Sequence, residues 1–334
     1  MASTHPFARL EPSRIVAAVE SLGLWLPGEP FALNSYENRV FLVHDDERRR
    51  WVVKFYRPER WTDAQIQEEH DFLAELDAAG VAVSAPWRDE AGRSLHHDQG
   101  FRFALFPQVP GQAPELENPA HLFALGEVIG ALHAVGERSS FRHRSKLDLD
   151  AMVLEARERV LGSHWLGRQQ RRAYERISTA LHEALQPHAW ADEKAIRVHG
   201  DCHIGNVLGR DENFTLVDFD DCLTAPAIQD LWMLLTAEHD AEWQMQLSEV
   251  MEGYEQHRDF DRRELTLIEP LRTLRLMRHS AWLVARWRIL PFHRPFPGWP
   301  MPAIGIAIFA CWSSSACCWK KSPAGWPDGS PCAV

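Results

Sequence analysis

The stretch RVHGDCHIGNVLG, residues 197–209, and the segment NFTLVDFDD, residues 213–221, gather many polar side chains into one short window. Apolar residues flank both segments, and this pattern predicts short buried strands joined by polar loops. The polar residues of the window are His199, Asp201, Cys202, His203, Asn206, Asp218, Asp220 and Asp221. Such a set could form a zinc site, an acid/base pair or a magnesium site.

Zinc is the weakest of these interpretations. Structural zinc usually takes pairs of Cys or His ligands at C-x₂₋₄-C or H-x₃₋₅-H spacing. His199 and His203 have the second spacing, but they supply half a site and no second pair lies nearby. We interpret the two histidines as loop residues with backbone partners, and a zinc hydrolase stays an alternative that metal content would settle.

Magnesium fits the window better, because it prefers oxygen ligands from one or two carboxylates or amides and leaves its other positions to phosphates and water. The catalytic loop of protein kinases reads H-R-D-x-x-x-x-N, followed by a metal-binding D-F-G Asp. His199, Asp201 and Asn206 reproduce that spacing, and Asp218 stands at the position of the D-F-G Asp. This predicts Asn206 and Asp218 as metal ligands and Asp201 as the catalytic base.

A kinase also needs a strand lysine and a helix glutamate that holds it. The runs RVFLVHD (39–45) and WVVKFY (51–56) predict a β-hairpin, and the second run carries Lys54. The next segment, TDAQIQEEHDFLAEL (62–76), has apolar residues at helical spacing and Thr62 as its N-cap. On this helix Glu69 is the predicted partner of Lys54, with Glu68 as the alternative if the register shifts by one.

The organisation of the chain supports two lobes. The first hundred residues are predicted to be strands with one helix, a buried strand covers 101–109, and mainly helical periodicity follows a proline-rich connector. Adenine would dock on main-chain groups after that strand, at Gln108 and Val109. The predicted parts are an N-lobe at 1–107, a hinge at 108–118, a helical C-lobe at 119–290 and an atypical tail at 291–334, for which a frameshift is the preferred explanation.

The composition of the chain limits the kinds of partner that we expect it to bind. The formal net charge of −11 disfavours a nucleic-acid binder, because such proteins usually carry a basic face. The N-terminal segment lacks the apolar run of a signal peptide, and the late apolar run 303–312 is too short to cross a bilayer. Four of the six cysteines crowd into the tail, so reduced thiols are expected. We expect a cytoplasmic monomer without membrane or nucleic-acid partners.

Several longer stretches carry a specific resemblance. They are LNSYENRVF (33–41), VVKFYRPERW (52–61), VHGDCHIGN (198–206) and PAIQDLWMLL (226–235). With Gly200 in place of the kinase arginine, they resemble the aminoglycoside phosphotransferase and choline kinase branch of the protein-kinase-like fold. More narrowly, the chain from Phe31 to Trp287 resembles the bacterial stress response kinase A family.

The resemblance implies an α+β, bilobal, protein-kinase-like fold, with a small antiparallel sheet plus one helix and a large helical lobe. It also implies a cytoplasmic kinase that uses ATP and Mg²⁺ to phosphorylate Ser and Thr of proteins, itself included, in a stress response. Carried over, Lys54 contacts the ATP phosphates, and Ser35 and Tyr36 lie in the loop above them. That loop, NSYENR, has no glycine and so departs from the usual G-x-G-x-x-G.

Two alternatives to a protein kinase remain open from the sequence. The same core serves small-molecule kinases acting on choline, amino alcohols or aminoglycosides, and a non-catalytic nucleotide-binding scaffold is the alternative from another class. Among the remaining residues, we interpret Asp220 and Asp221 as a solvated turn in preference to metal ligands. Asp230 is interpreted as a structural carboxylate that braces the catalytic loop, and His133 as a core histidine with partners.

Overall fold

The computed structural model describes residues 6–35, 37–164, 166–185, 194–237 and 239–286. Tyr36 and the tail 291–334, which the sequence set apart, lie outside these residues.

The N-terminal part of the chain forms a five-stranded antiparallel sheet in the order β1-β2-β3-β5-β4. Its strands are β1 (Phe31–Leu33), β2 (Arg39–His44), β3 (Arg50–Tyr56), β4 (His96–Asp98) and β5 (Phe101–Pro107). The predicted hairpin is confirmed, since Val40 of β2 lies opposite Lys54 of β3. Lys54 also lies opposite Ala104 of β5, so it sits on the central strand of the sheet.

A helix that the sequence reading missed covers one face of this sheet. The first hundred residues were predicted to hold one helix, but they hold two, because α1 (Pro12–Glu20) precedes the first strand. Ile15, Ala18 and Val19 of α1 are buried and pack with apolar residues of β3 and β5. This helix is only nine residues long, so apolar residues at helical spacing give a weak signal for it in the sequence.

The second helix, α2 (Asp63–Ala78), links the sheet to the rest of the molecule. Thr62 caps it as predicted: its hydroxyl accepts the N–H of Gln65, and the side-chain oxygen of Gln65 accepts the N–H of Thr62. Ile66 packs on the sheet beside Tyr56, whereas Phe72, further along α2, belongs to the large core of the helical part. Side chains at the middle of α2 are therefore held between the two parts.

The C-terminal part is mainly helical, and β5 ends at Pro107 before the connector that leads to it. Its helices are α3 (Pro119–Gly136), α4 (Leu149–Leu161), α5 (Arg168–Leu185), α6 (Ile228–Leu231), α7 (Asp240–Tyr254) and α8 (Ile268–Arg286). Two short antiparallel pairs carry the polar window: β6 (Ile196–Val198) with β9 (Leu223–Ala225), and β7 (Val207–Arg210) with β8 (Asn213–Leu216). The boundaries assigned to lobes and hinge from the sequence stay predictions.

Helix α3 is also, among the described helices, the one long and apolar enough to cross a membrane, with a mean hydropathy of 1.2 and 56% of its residues buried. Ten of its residues face the interior, where α3 packs against α7 and β6. That packing is what a core helix requires, so α3 is weak evidence for a membrane span.

Acid is expected to destabilise the protein through His70, which is fully buried on α2. Burial lowers the pKa of His70 to about 3, and the charges of Lys54 and Arg88 act in the same direction. The neutral ring bonds Tyr56 Oη at 2.7 Å and Ser94 Oγ at 2.9 Å. The contribution of neutral His70 to the free energy of unfolding is fully present above its unfolded pKa of about 6.5. It is lost as pH falls towards 3, and about 2 kcal/mol of it is lost by pH 5.

The variant His70→Gln isolates this effect. Between pH 7 and pH 5, its free energy of unfolding in urea should fall by about 2 kcal/mol less than that of the parent protein. His44→Gln, at an exposed histidine of β2, is the matched control and should keep the parental acid dependence. Equal acid dependence in His70→Gln and the parent would show that His70 is not held neutral.

Candidate active site

The loop after β6 carries Asp201 and is fixed by hydrogen bonds on both sides. The Nε2 atom of His199 donates to the carbonyl oxygen of Val217 at 2.9 Å, and its Nδ1 accepts the N–H of Asp201 at 3.3 Å. The N–H of Val217 donates to the carbonyl oxygen of Asn206 at 3.0 Å. These bonds tie the Asp201 loop to the residue that precedes Asp218, so the two halves of the sequence window meet.

Asp230 braces this loop from beneath, as predicted. Its carboxylate accepts the N–H groups of His199 at 2.7 Å and Gly200 at 2.8 Å. Behind it, His133 bonds Asp230 at 3.1 Å and Tyr254 Oη at 3.0 Å, which confirms the interpretation of His133 as a partnered core histidine. Asp230, His133 and Tyr254 are fully buried. Their hydrogen bonds explain how a loop without regular secondary structure can hold Asp201 in place.

Asp218 has the geometry expected of a cation ligand. Its backbone is left-handed, with φ 60° and ψ 67°, and its side chain is 55% exposed. Lys54 Nζ donates to Oδ1 at 3.0 Å, and within the described residues no hydrogen bond engages Oδ2. The amide nitrogen of Asn206 donates to the carbonyl oxygen of Asp201 at 3.0 Å, which leaves the amide oxygen available.

This donor set suits magnesium better than zinc. One carboxylate and one amide oxygen are sufficient for Mg²⁺ when substrate phosphates and water complete its shell. In the described part of the chain, no group of three or more His, Cys, Asp or Glu residues is arranged to hold a metal. Both ring nitrogens of His199 are engaged, and burial raises the pKa of the Cys202 thiol well above its usual value, so these residues make poor zinc ligands.

Lys54 lies at the centre of a buried charge cluster. Its Nζ atom is 3.0 Å from Asp218, 3.0 Å from Asp220 and 3.5 Å from Glu69. Burial alone would lower the pKa of Lys54, but these carboxylates raise it well above its usual value, so the ammonium stays charged. The structure thus brings together Lys54, Glu69 and Asp218, three of the residues singled out from the sequence.

The choice between Glu68 and Glu69 is settled by their contacts. Glu69 lies beside Lys54 and also binds Arg144 at 2.9 Å. Glu68 points elsewhere and accepts the backbone N–H groups of residues 142, 143 and 144 at 2.5 to 2.8 Å. Glu68 therefore anchors the loop that carries Arg144, while Glu69 is the partner of the strand lysine.

The interpretation of Asp220 as part of a solvated turn is wrong. Its side chain is only 4% exposed and lies between Lys54 and Arg60, with Arg60 Nη1 at 2.8 Å from Oδ2. Burial alone would raise the pKa of Asp220, but Lys54 and Arg60 outweigh it and lower the pKa well below its usual range. Asp221 is more exposed and forms a bidentate pair with Arg60 at 2.8 and 3.0 Å.

The sequence reading also missed three other members of the cluster. Arg60 follows β3, Arg144 donates to Glu69 and to the carbonyl oxygens of Phe219 and Asp220, and Glu37 contacts Arg60 at 3.7 Å. Glu37 also accepts a hydrogen bond from the Trp282 indole of α8, so the loop after β1 reaches the C-terminal helix. Arg57 also lies 4.0 Å from Glu37, so in the described residues the cluster joins five carboxylates to four cations and keeps one negative charge in excess.

The structure shows less about the residues that are predicted to contact the nucleotide. Ser35 lies in the connection between β1 and β2, where its carbonyl oxygen accepts a bond from Arg39, and Tyr36 is outside the described residues. The N–H of Gln108 donates to the carbonyl oxygen of Arg50 at 3.1 Å, so only its carbonyl could meet adenine. Val109 follows directly, half-buried at the end of the sheet. The roles of Ser35, Tyr36, Gln108 and Val109 stay predictions.

A cavity of about 970 Å³ opens beside Asp201. Its walls come from the Asp201 loop, from Trp232 and the residues after it, and from one face of α8. Asp201 is 29% exposed there, and Arg275 of α8 donates to its Oδ1. Burial would raise the pKa of Asp201, but the ion pair with Arg275 outweighs it and lowers that pKa. Asp201 thus faces an open space that Glu37, Arg60 and Asp221 of the charge cluster also line.

Fold and site together define a phosphotransferase of the protein-kinase-like type. Residues 29–267 match the model described as the phosphotransferase enzyme family. Stress response kinase A of Escherichia coli is 41% identical over 295 residues, covering 88% of this chain and 89% of the relative. A Salmonella typhimurium relative named serine/threonine protein kinase RdoA is 41% identical over 291 residues, covering 87% and 88%. The chain belongs to the phosphotransferase enzyme family and, within it, to the stress response kinase A family.

Solved structures agree with this fold. Amicoumacin kinase hAmiN, in complex with AMP-PNP, Ca²⁺ and Ami, superposes with a TM-score of 0.74 at 19% identity, over 96% of this chain and 97% of that one. The microcompartment-associated aminopropanol kinase gives a TM-score of 0.67 at 19% identity, over 87% and 91%. The predicted α+β, kinase-like fold class and the family resemblance are confirmed.

Gly200, which stands where protein kinases have arginine, occupies a position in this structure that suits glycine alone. Its φ of +87° is left-handed, and a Cβ atom would lie 2.2 Å from the carbonyl oxygen of Asp221. Gly200→Ala must therefore strain or move the Asp201 loop, at a cost of about 1 to 3 kcal/mol. Turnover should fall by roughly 5- to 150-fold if that strain displaces Asp201.

The control for this substitution is Gly80→Ala. Gly80 has a similar φ of +79°, but nothing lies within 4 Å of its added Cβ atom. It should lower the melting temperature slightly and leave steady-state turnover unchanged. Unchanged turnover in Gly200→Ala as well would mean that the loop tolerates displacement.

Proposed function

We propose that the protein is an ATP- and Mg²⁺-dependent kinase that transfers the γ-phosphoryl group of ATP to Ser and Thr hydroxyls of proteins, itself included. One observation carries the proposal: Lys54 pairs with Asp218 next to the Asp201 loop, and Asp201 itself opens onto a large cavity. A nucleotide site and an acceptor site would then share one carboxylate between them.

Each residue has a distinct task in this proposal. Lys54, held by Glu69, would bind the ATP phosphates, and Asn206 and Asp218 would hold Mg²⁺ through their free oxygens. Bound Mg²⁺ would neutralise charge on the phosphates. Asp201 would accept a hydrogen bond from the incoming hydroxyl, orient its oxygen in line with the γ-phosphorus and receive its proton. Phosphoryl transfer requires mainly positioning and charge neutralisation, and these residues provide both.

Protein acceptors are favoured by the relatives' names, which include a stress response kinase and a serine/threonine protein kinase. The stress response role is extended to this chain from the relatives' names. A cytoplasmic location is part of the proposal because ATP is supplied there. The second candidate, a small-molecule kinase, is favoured by the solved neighbours, which act on amicoumacin and aminopropanol. The same phosphoryl-transfer residues serve both functions, so the acceptor must be identified by experiment.

The test uses the purified full-length protein with γ-labelled ATP, with and without Mg²⁺. It compares mixed proteins, the enzyme alone, choline, aminopropanol and an aminoglycoside as acceptors. Mg²⁺-dependent label on Ser or Thr of protein is expected. Label confined to a small alcohol would establish the second candidate, and the absence of Mg²⁺-dependent turnover would leave a nucleotide-binding scaffold.

A further inference from the structure

The cavity beside Asp201 has a basic wall on α8. Arg272, Arg275 and Arg278 all line it from this helix, three residues apart. Arg272 pairs with Glu269, and Arg275 pairs with Asp201. Arg278 is exposed, and within the described residues no carboxylate pairs with it. The wall therefore offers one guanidinium group without an acid partner, at Arg278, beside two that already hold one.

We propose that this cavity selects acceptor segments in which the Ser or Thr is flanked by Asp or Glu, with Arg275 and Arg278 as the residues that read the acid groups. This inference rests on the proposed function and adds the chemical class of its substrate. Arginine suits the task because its planar fork of donors matches the geometry of a carboxylate.

The carboxylates of the cavity argue against a cationic acceptor. Asp201 is paired with Arg275, Asp221 with Arg60, and Glu37 with both Arg60 and the Trp282 indole. An amine entering the cavity would have to displace one of these partners. The described carboxylates are thus already neutralised, whereas an arginine remains open to an acid.

The aromatic residues of the cavity point the same way. Quaternary ammonium groups are recognised by the open faces of aromatic rings. The Trp61 ring is already covered by the guanidinium groups of Arg60, 5.3 Å from its centroid, and Arg144, 4.5 Å from it. Trp282 stacks on His279 at 5.8 Å. Cationic or aromatic side chains thus already contact two of the cavity's three tryptophans, and the third, Trp232, is only 8% exposed.

Arg275 links recognition to catalysis. In the structure its guanidinium covers Oδ1 of Asp201, the atom that an incoming hydroxyl needs. A carboxylate beside that hydroxyl would compete for the same guanidinium and draw it away from Asp201. An acidic neighbour would therefore both bind the segment and uncover the base, whereas a neutral segment has to break the ion pair without compensation. Arg278 touches neither Asp201 nor the charge cluster, so it would contribute to binding alone.

The experiment compares two peptides that differ only in charge, a Ser flanked by Asp and the same peptide with Asn at those positions. A charge-assisted hydrogen bond contributes enough to favour the Asp peptide in kcat/KM by about tenfold or more. Arg278→Gln should reduce this preference through KM. Arg275→Gln should reduce it as well, and should raise kcat for the Asn peptide. Arg263→Gln, an exposed arginine outside the cavity, is the control and should change neither.

Binding without catalysis separates this inference from the proposed function. Labelled peptides with Ala in place of Ser are titrated by fluorescence anisotropy, without ATP or Mg²⁺, at two salt concentrations. Tighter, salt-sensitive binding of the Asp peptide that Arg278→Gln weakens supports the inference even if no peptide is phosphorylated, in which case the proposed function alone fails. Phosphorylation of both peptides at equal kcat/KM, or preference for a Lys-flanked peptide, would overturn the inference while the kinase activity stands.

Discussion

Asp201→Asn is expected to lower the turnover number for phosphoryl transfer by about 10²- to 10⁴-fold, the usual contribution of a positioned general base. Asparagine has the same shape as aspartate, so the side chain can still occupy the same position beside the cavity. It cannot receive a proton, however, and its amide orients a hydroxyl poorly. The KM for ATP should stay within about twofold, because Asp201 would contact the acceptor and not the nucleotide.

The structure makes this variant a clean test. The bond from Asn206 goes to the main-chain oxygen of Asp201, so the substitution leaves that support in place. The control is Asp211→Asn, an exposed residue at the turn between β7 and β8 with φ 54°, a conformation that asparagine tolerates. It should turn over normally. Steady-state rates with labelled ATP decide the matter, and full activity in Asp201→Asn would remove this residue from the proposed mechanism.

Local spacing explains why so much of the candidate site could be predicted. Asp201, Asn206 and Asp218 lie in one short window, where the strands on either side allow few paths for the loops. Lys54 and Glu69 followed from the kinase requirement for a strand lysine and a helix glutamate, since a strand and a capped helix stand in that order before the window. The sequence left open only the register of α2, and the contacts of Glu68 and Glu69 settled it.

No local spacing in the sequence identifies the residues of the site that were not predicted. Arg60 reaches Asp221 across 161 positions of sequence, and Arg275 reaches Asp201 across 74. Long side chains in loops can pair with any carboxylate that the tertiary fold brings near, so no spacing identifies their partners. Asp220 was misread for the same reason: an acidic pair after a strand resembles a solvated turn until Lys54 and Arg60 arrive from the other part of the chain. Net charge, likewise, gives no sign of the basic wall of α8.

The neighbouring carboxylates Asp218 and Asp220 should respond to the same substitution in opposite ways. Asp218→Asn removes one of two proposed Mg²⁺ ligands from a half-exposed position, while Lys54 keeps Glu69 and Asp220 as partners. Turnover at saturating ATP should fall by about 10³-fold, since a bound metal contributes several kcal/mol of charge stabilisation. Half-saturation should require more Mg²⁺, and the melting temperature should hardly change.

Asp220→Asn should instead act on the fold. Its carboxylate is buried between Lys54 and Arg60, and removing it leaves two cations with too little compensating charge. The free energy of unfolding should fall by about 3 to 5 kcal/mol, the usual cost of breaking a buried ion pair from one side. Measured below its melting temperature, the folded Asp220→Asn protein should keep the parental Mg²⁺ dependence. A stable Asp220→Asn protein that no longer responds to Mg²⁺ would show that Asp220, and not Asp218, has the metal-binding role. Only the loss of a ligand of the ion would remove that response without weakening the fold.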